Sequence, residues 1–76
     1  MPHAIVKLYT GRSAQQKARI AEAVTKAIMA STQNAEGSIS VSIEDVEPSE
    51  WTEKVYKPDI IGKPDTLYKE PGYSPL

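Results

Sequence analysis

Cysteine is absent from all 76 residues, which excludes disulfide staples and thiolate metal sites together. The single histidine, His3, cannot build a metal centre unaided. No charge of one sign dominates: nine Lys and Arg stand against ten Asp and Glu, for a net charge of −1. The chain therefore lacks the broad basic field that attracts nucleic acid or an anionic membrane. It has no apolar run approaching the ~20 residues of a membrane span. No basic segment leads into an apolar stretch at the N-terminus, as a secretory signal would. These absences predict a soluble, cytoplasmic protein that engages neither nucleic acid nor membrane. A phosphate loop, a dinucleotide fingerprint, a Ser-His-Asp arrangement and metal-ligand spacing are also missing, so no cofactor and no metal are expected.

The length predicts a single domain over 1–76. A chain this short buries only ~60% of its unfolded surface. Disulfides, metals or oligomerisation usually make up the deficit. With the first two excluded, self-association is the expected route.

Residues 3–9 alternate strictly. Ala4, Val6 and Leu8 share one face, and His3, Ile5, Lys7 and Tyr9 share the other. That pattern, with β-branched and aromatic members, predicts a strand. Thr10-Gly11-Arg12 reads as a turn. Ser13 with Gln16 three places on forms a capping box, opening a helix. Its apolar stripe runs through Ile20, Val24 and Ile28 and ends near Ser31-Thr32. Gln33 to Gly37 reads as a polar loop. Residues 38–43, Ser-Ile-Ser-Val-Ser-Ile, alternate again and predict a second strand. Strand, long helix and strand make a βαβ unit, with parallel strands and a right-handed crossover. The helix covers one sheet face only, so the tail or another subunit must supply the rest. In the tail, Glu50 to Tyr56 reads as a short helix that Lys57-Pro58 ends. Asp65 to Lys69 suggests one or two further helical turns, Glu70 to Tyr73 a turn, and Ser74 to Leu76 a frayed end.

The opening Met1-Pro2 carries a chemical possibility that no side chain supplies. If Met1 is removed, Pro2 begins the chain with a secondary amine instead of a planar amide. An α-amino group titrates near pH ~8, and burial lowers that value. Such an amine can serve as a general base. Equally, a proline here can simply stiffen the start of a strand. Arg12, before the helix, can pair a substrate carboxylate in a bidentate fork or stand exposed in its loop. Trp51, the only tryptophan, can wall a pocket or pack in a core or interface. His3 can tune the Pro2 amine or bind substrate, or be an ordinary strand residue. The four tyrosines read most simply as packing residues.

Met1-Pro2 before a strand, Gly11-Arg12-Ser13 before a helix opened by Gln15-Gln16-Lys17, and the Ser-Ile-Ser-Val-Ser-Ile strand occur together. In that combination the chain resembles the tautomerase superfamily, the 4-oxalocrotonate tautomerase-like group. Trp51 and Lys69-Glu70-Pro71-Gly72-Tyr73 resemble the longer, dimeric PptA-type subgroup. The resemblance implies an α/β (α+β) fold of the tautomerase/MIF-like kind. It consists of a βαβ unit with parallel strands, one long helix and short C-terminal helices, completed by oligomerisation, with a homodimer favoured over a hexamer. It implies an isomerase that performs keto–enol tautomerisation of a small 2-oxo acid or enol, without cofactor. Pro2 falls on the general base, Arg12 on the loop arginine and Trp51 on the pocket-wall aromatic. Family members that take dicarboxylates use an arginine in the second strand, and that position here is Ser40. Serine offers no charged fork, so a monocarboxylate or enol-pyruvate-like substrate fits better. A second reading is a hydratase or dehalogenase-like lyase of the same superfamily, with protonated Pro2 and a carboxylate such as Glu50 or Glu53 activating water. A third is a non-catalytic oligomeric binding protein that keeps the fold.

Overall fold

The computed structural model describes residues 1–76. Strand β1 (His3–Tyr9) leads into helix α1 (Ala14–Thr32), and strand β2 (Ser40–Val46) follows a 3₁₀ turn at Glu36–Ser38. The strands pair in parallel, from His3 opposite Ser40 to Tyr9 opposite Val46. This is the expected βαβ unit, and each strand keeps one unpaired edge. No helix is long and apolar enough to cross a membrane.

Local chemistry sets the ends of α1. The Ser13 hydroxyl accepts the Gln16 N–H at 3.1 Å, and the Gln16 side chain accepts the Ser13 N–H at 3.3 Å. These are the two halves of the capping box. Gly11 turns the chain into the helix with φ of 118°, a value that suits glycine. Gln33 closes the helix in the left-handed region, and its N–H donates to the Met29 carbonyl.

The second strand starts and ends later than residues 38–43. Ser38 closes the 3₁₀ turn instead, its hydroxyl donating to the Ala35 carbonyl at 2.8 Å. Short hydroxyl side chains compete with the sheet ladder in this way. At the far end, charge does not stop the strand, because Asp45 meets Lys17 of α1 at 2.5 Å. That pair also places the helix on the sheet face carrying Ala4, Val6, Leu8, Val41 and Ile43.

The tail departs furthest from expectation. Glu50 closes a 3₁₀ turn at Pro48–Glu50, and a π-helix then runs over Thr52–Ile61, straight through Pro58. An α-helix would lose a hydrogen bond at Pro58 and clash with the preceding turn. The segment instead adopts the wider i→i+5 winding. Gly62 ends the segment where a Cβ would lie 2.6 Å from the Lys57 carbonyl oxygen. The expected turns at 65–69 reduce to one 3₁₀ turn, Pro64–Thr66.

This extension lies on the sheet face opposite α1. Tyr9 meets Trp51 edge to face, with ring centroids 5.2 Å apart, and Lys7 pairs with Asp59. Val55 and Tyr56 are the only buried residues, and both belong to the extension. The stripe on α1 stays half-covered: Ile20, Val24 and Ile28 are all partly accessible. The radius of gyration is 13.8 Å, against about 11 Å for a compact domain of this length. The chain is a thin layer, 19 Å in its shortest dimension.

Candidate active site

Two groups of candidate residues form, one at each end of β1. At the start of the strand, Pro2 is half-buried. Its carbonyl accepts the Ser40 N–H at 3.1 Å. Beside it, His3 Nδ1 and Ser40 Oγ lie 2.6 Å apart. Met1 beyond them is 98% exposed, so nothing in the chain holds it.

At the other end, Lys7, Leu8, Tyr9, Arg12, Trp51 and Tyr73 line a hollow of about 340 Å³. Strand alternation brings Lys7 and Tyr9 to this face, and the Gly11 turn brings Arg12 beside them. The indole of Trp51 is fixed on two sides. Its face or edge meets Tyr9, and its Nε1–H donates to the Tyr73 hydroxyl at 2.9 Å. All six ion pairs of the chain use lysine, so Arg12 and Arg19 have no carboxylate partner. The Arg12 fork is thus uncommitted. Lys7 is not: hydrogen bonding to Asp59 raises its pKa, and the same bond holds the Asp59 carboxyl below its ordinary value.

Lys7 also borders a second hollow of about 400 Å³, with Ile5, Trp51, Val55, Asp59 and Ile60. Lys7 and Trp51 line both hollows. This arrangement can receive a small anion with an apolar body. It offers one free guanidinium and a wall of aromatic rings.

Residues 2–54 match the family model described as "Tautomerase enzyme". The chain belongs to the tautomerase family. It is 38% identical over 76 residues to a probable tautomerase of Xylella fastidiosa, covering 100% of this chain and 93% of that one. It is 37% identical over 75 residues to Tautomerase PptA of Cronobacter sakazakii, covering 96% and 97%. Among solved structures it resembles TomN, a 4-oxalocrotonate tautomerase homologue of the tomaymycin biosynthetic pathway. The TM-score is 0.64 at 32% identity, over 66% of this chain and 77% of that one. A 4-oxalocrotonate tautomerase isozyme from Methylibium petroleiphilum gives 0.59 at 35%, over 60% and 74%. The fold is thus the 4-oxalocrotonate tautomerase type, and the chain is a probable tautomerase. The PptA relatives cover 96–97% of this chain, whereas these structures cover 60–66% of it.

The candidate residues of this tautomerase do not all converge. Pro2 and Ser40 are neighbours, and Arg12 and Trp51 share a hollow. The seven residues of β1 separate the groups by about 20 Å at ~3.3 Å per residue. Sequence reading missed Lys7 as a lining residue and treated Tyr9 and Tyr73 as packing. Alternation did put Lys7 and Tyr9 on one face, but nothing local marked Tyr73 as a partner of Trp51.

Proposed function

We propose that this chain catalyses keto–enol tautomerisation of a small monocarboxylate 2-oxo acid or its enol, with Pro2 as general base. The observation that carries the reading is the setting of Pro2. Its carbonyl is tied to the Ser40 N–H, while Met1 hangs free. Removing Met1 therefore liberates the ring nitrogen and leaves the ring where it is. The amine takes a proton from carbon beside the carbonyl, or from the enol hydroxyl, and returns it to the other position. Acid–base catalysis of this kind contributes ~10²–10⁴-fold. Arg12, free of internal partners, is suited to the substrate carboxylate or to the developing enolate oxygen. Ser40 is engaged with His3, which supports one carboxylate rather than two.

A small substrate cannot bridge about 20 Å, so Pro2 of one subunit works with Arg12 and Trp51 of another. The half-covered α1 stripe and the free strand edges support a homo-oligomer. The extension already occupies one sheet face, which favours a dimer over a larger stack.

Intact mass and ¹⁵N titration of the Pro2 amine, read beside the rate on enol-phenylpyruvate, test the base. The processed protein is expected to be active, and the Met1-retaining protein to lose nearly all activity. Equal rates from the two would overturn the assignment.

A further inference from the structure

We infer that Tyr73 is a positioning residue that holds Trp51 as the wall of an aryl-carboxylate site. The inference rests on the tautomerase reading for its biology, but its geometry stands alone. Trp51 Nε1–H donates to the Tyr73 hydroxyl at 2.9 Å. The Tyr73 ring in turn leans on Tyr56, with centroids 5.7 Å apart and planes 45° to each other. Tyr56 is buried at 7% exposure, so it is a fixed support. Tyr9 holds the other side of the indole at 83°. The indole is therefore clamped between a residue of β1 and one from the C-terminal segment, 22 residues beyond it.

Tyr73 lines the hollow together with Arg12, and so does Trp51. A carboxylate at Arg12 puts the rest of a small ligand against these rings. Flat aromatic groups gain most from such a wall, through offset or edge-to-face contact. A short aliphatic acid reaches the guanidinium but not the rings. Tyr73 thus favours aryl over alkyl carboxylates by keeping the indole in place. Its contacts with Tyr56 explain why the C-terminal segment stays on the extension.

Trp51 is the sole tryptophan, so its emission reports the clamp directly. The test is titration of wild-type protein, Tyr73→Phe and Tyr73→Ala with 3-phenylpropionate and with propionate, followed by Trp51 fluorescence. Tyr73→Phe keeps the ring on Tyr56 and removes only the hydrogen bond. It is expected to shift Trp51 emission in the free protein and to weaken 3-phenylpropionate about two- to tenfold, the range of one neutral hydrogen bond. Tyr73→Ala is expected to weaken it further, with propionate changed less than twofold in both. Unchanged emission, or equal weakening of both acids, would overturn the role of Tyr73. A processed protein that binds 3-phenylpropionate as described but turns over no enol would overturn the tautomerase reading and leave the clamp standing.

Discussion

The Lys7 ammonium on β1 and the Asp59 carboxylate on the π-helix meet at 2.5 Å across 52 residues of chain. Lys63 adds a second, longer contact to Asp59 at 3.6 Å. The Lys7 and Asp59 side chains are 30% and 26% exposed, and their pair joins the extension to the sheet.

The signs of the two shifts define a pH window. Asp59 sits below its ordinary value of 3.8, because the Lys7 hydrogen bond favours the carboxylate. Its contribution is complete above pH 3.8 and is lost as the pH falls through the lowered value. Lys7 sits above 10.5, so its contribution is complete below 10.5 and is lost as the pH rises through the raised value. Between those limits the pair adds a flat increment. Thermal unfolding followed by Trp51 fluorescence should show an acid limb that Asp59→Asn flattens. An identical limb in the variant would detach the effect from this pair.

Arg12 has no internal salt bridge, so its removal should cost recognition rather than stability. Arg12→Ala is expected to lower kcat/KM about 10- to 100-fold, the scale of a charge-assisted hydrogen bond. KM alone rises if the fork holds only the carboxylate, and kcat falls too if it touches the enolate oxygen. Arg12→Lys restores part, since a point charge lacks the planar fork. Unchanged steady-state kinetics in Arg12→Ala would return the residue to the loop surface.

The proposed sharing of the site between subunits has a numerical signature. A Met1-retaining subunit and an Arg12→Ala subunit are each impaired alone. In a mixed dimer, one of the two sites regains both wild-type groups. Random re-association should therefore recover about one quarter of wild-type activity in a symmetric dimer. Recovery no greater than the sum of the separate parents would exclude the shared site.

Gly62 is required by space, not by backbone angle. A Cβ there would lie 2.6 Å from the Lys57 oxygen and 2.8 Å from the Pro58 oxygen. Both atoms are backbone, so neither can swing away. Gly62→Ala should cost about 1–3 kcal/mol by urea denaturation, as overpacking does. Gly37→Ala, with nothing within 4 Å, should be near neutral. Similar midpoints for the two would remove the steric argument.

The βαβ unit was legible because its signals are local. Alternation in 3–9 and the Ser13–Gln16 box each act within a few residues, and both appear in the structure. The tail was not legible for the opposite reason. Pro58 argued locally for a helix end, while the segment is held by Asp59 on Lys7 and Trp51 on Tyr73. Those contacts span 52 and 22 residues, and no short pattern announces them. The site divided in the same way. Pro2, Arg12 and Trp51 stood out as residue types, whereas their grouping depended on which end of β1 each occupies.

Val55 and Tyr56 have a consequence for how this tautomerase reaches its working state. The only buried side chains lie outside the βαβ unit, beyond residue 54 where the family match ends. The unit that carries Pro2 and Arg12 has no interior of its own within one chain. In the proposed oligomer, a second copy that covers the α1 stripe would bind the folded form and not the unfolded one. Mass action would then tie folding to protein concentration, and dilution would lower the population of intact sites as well as their number.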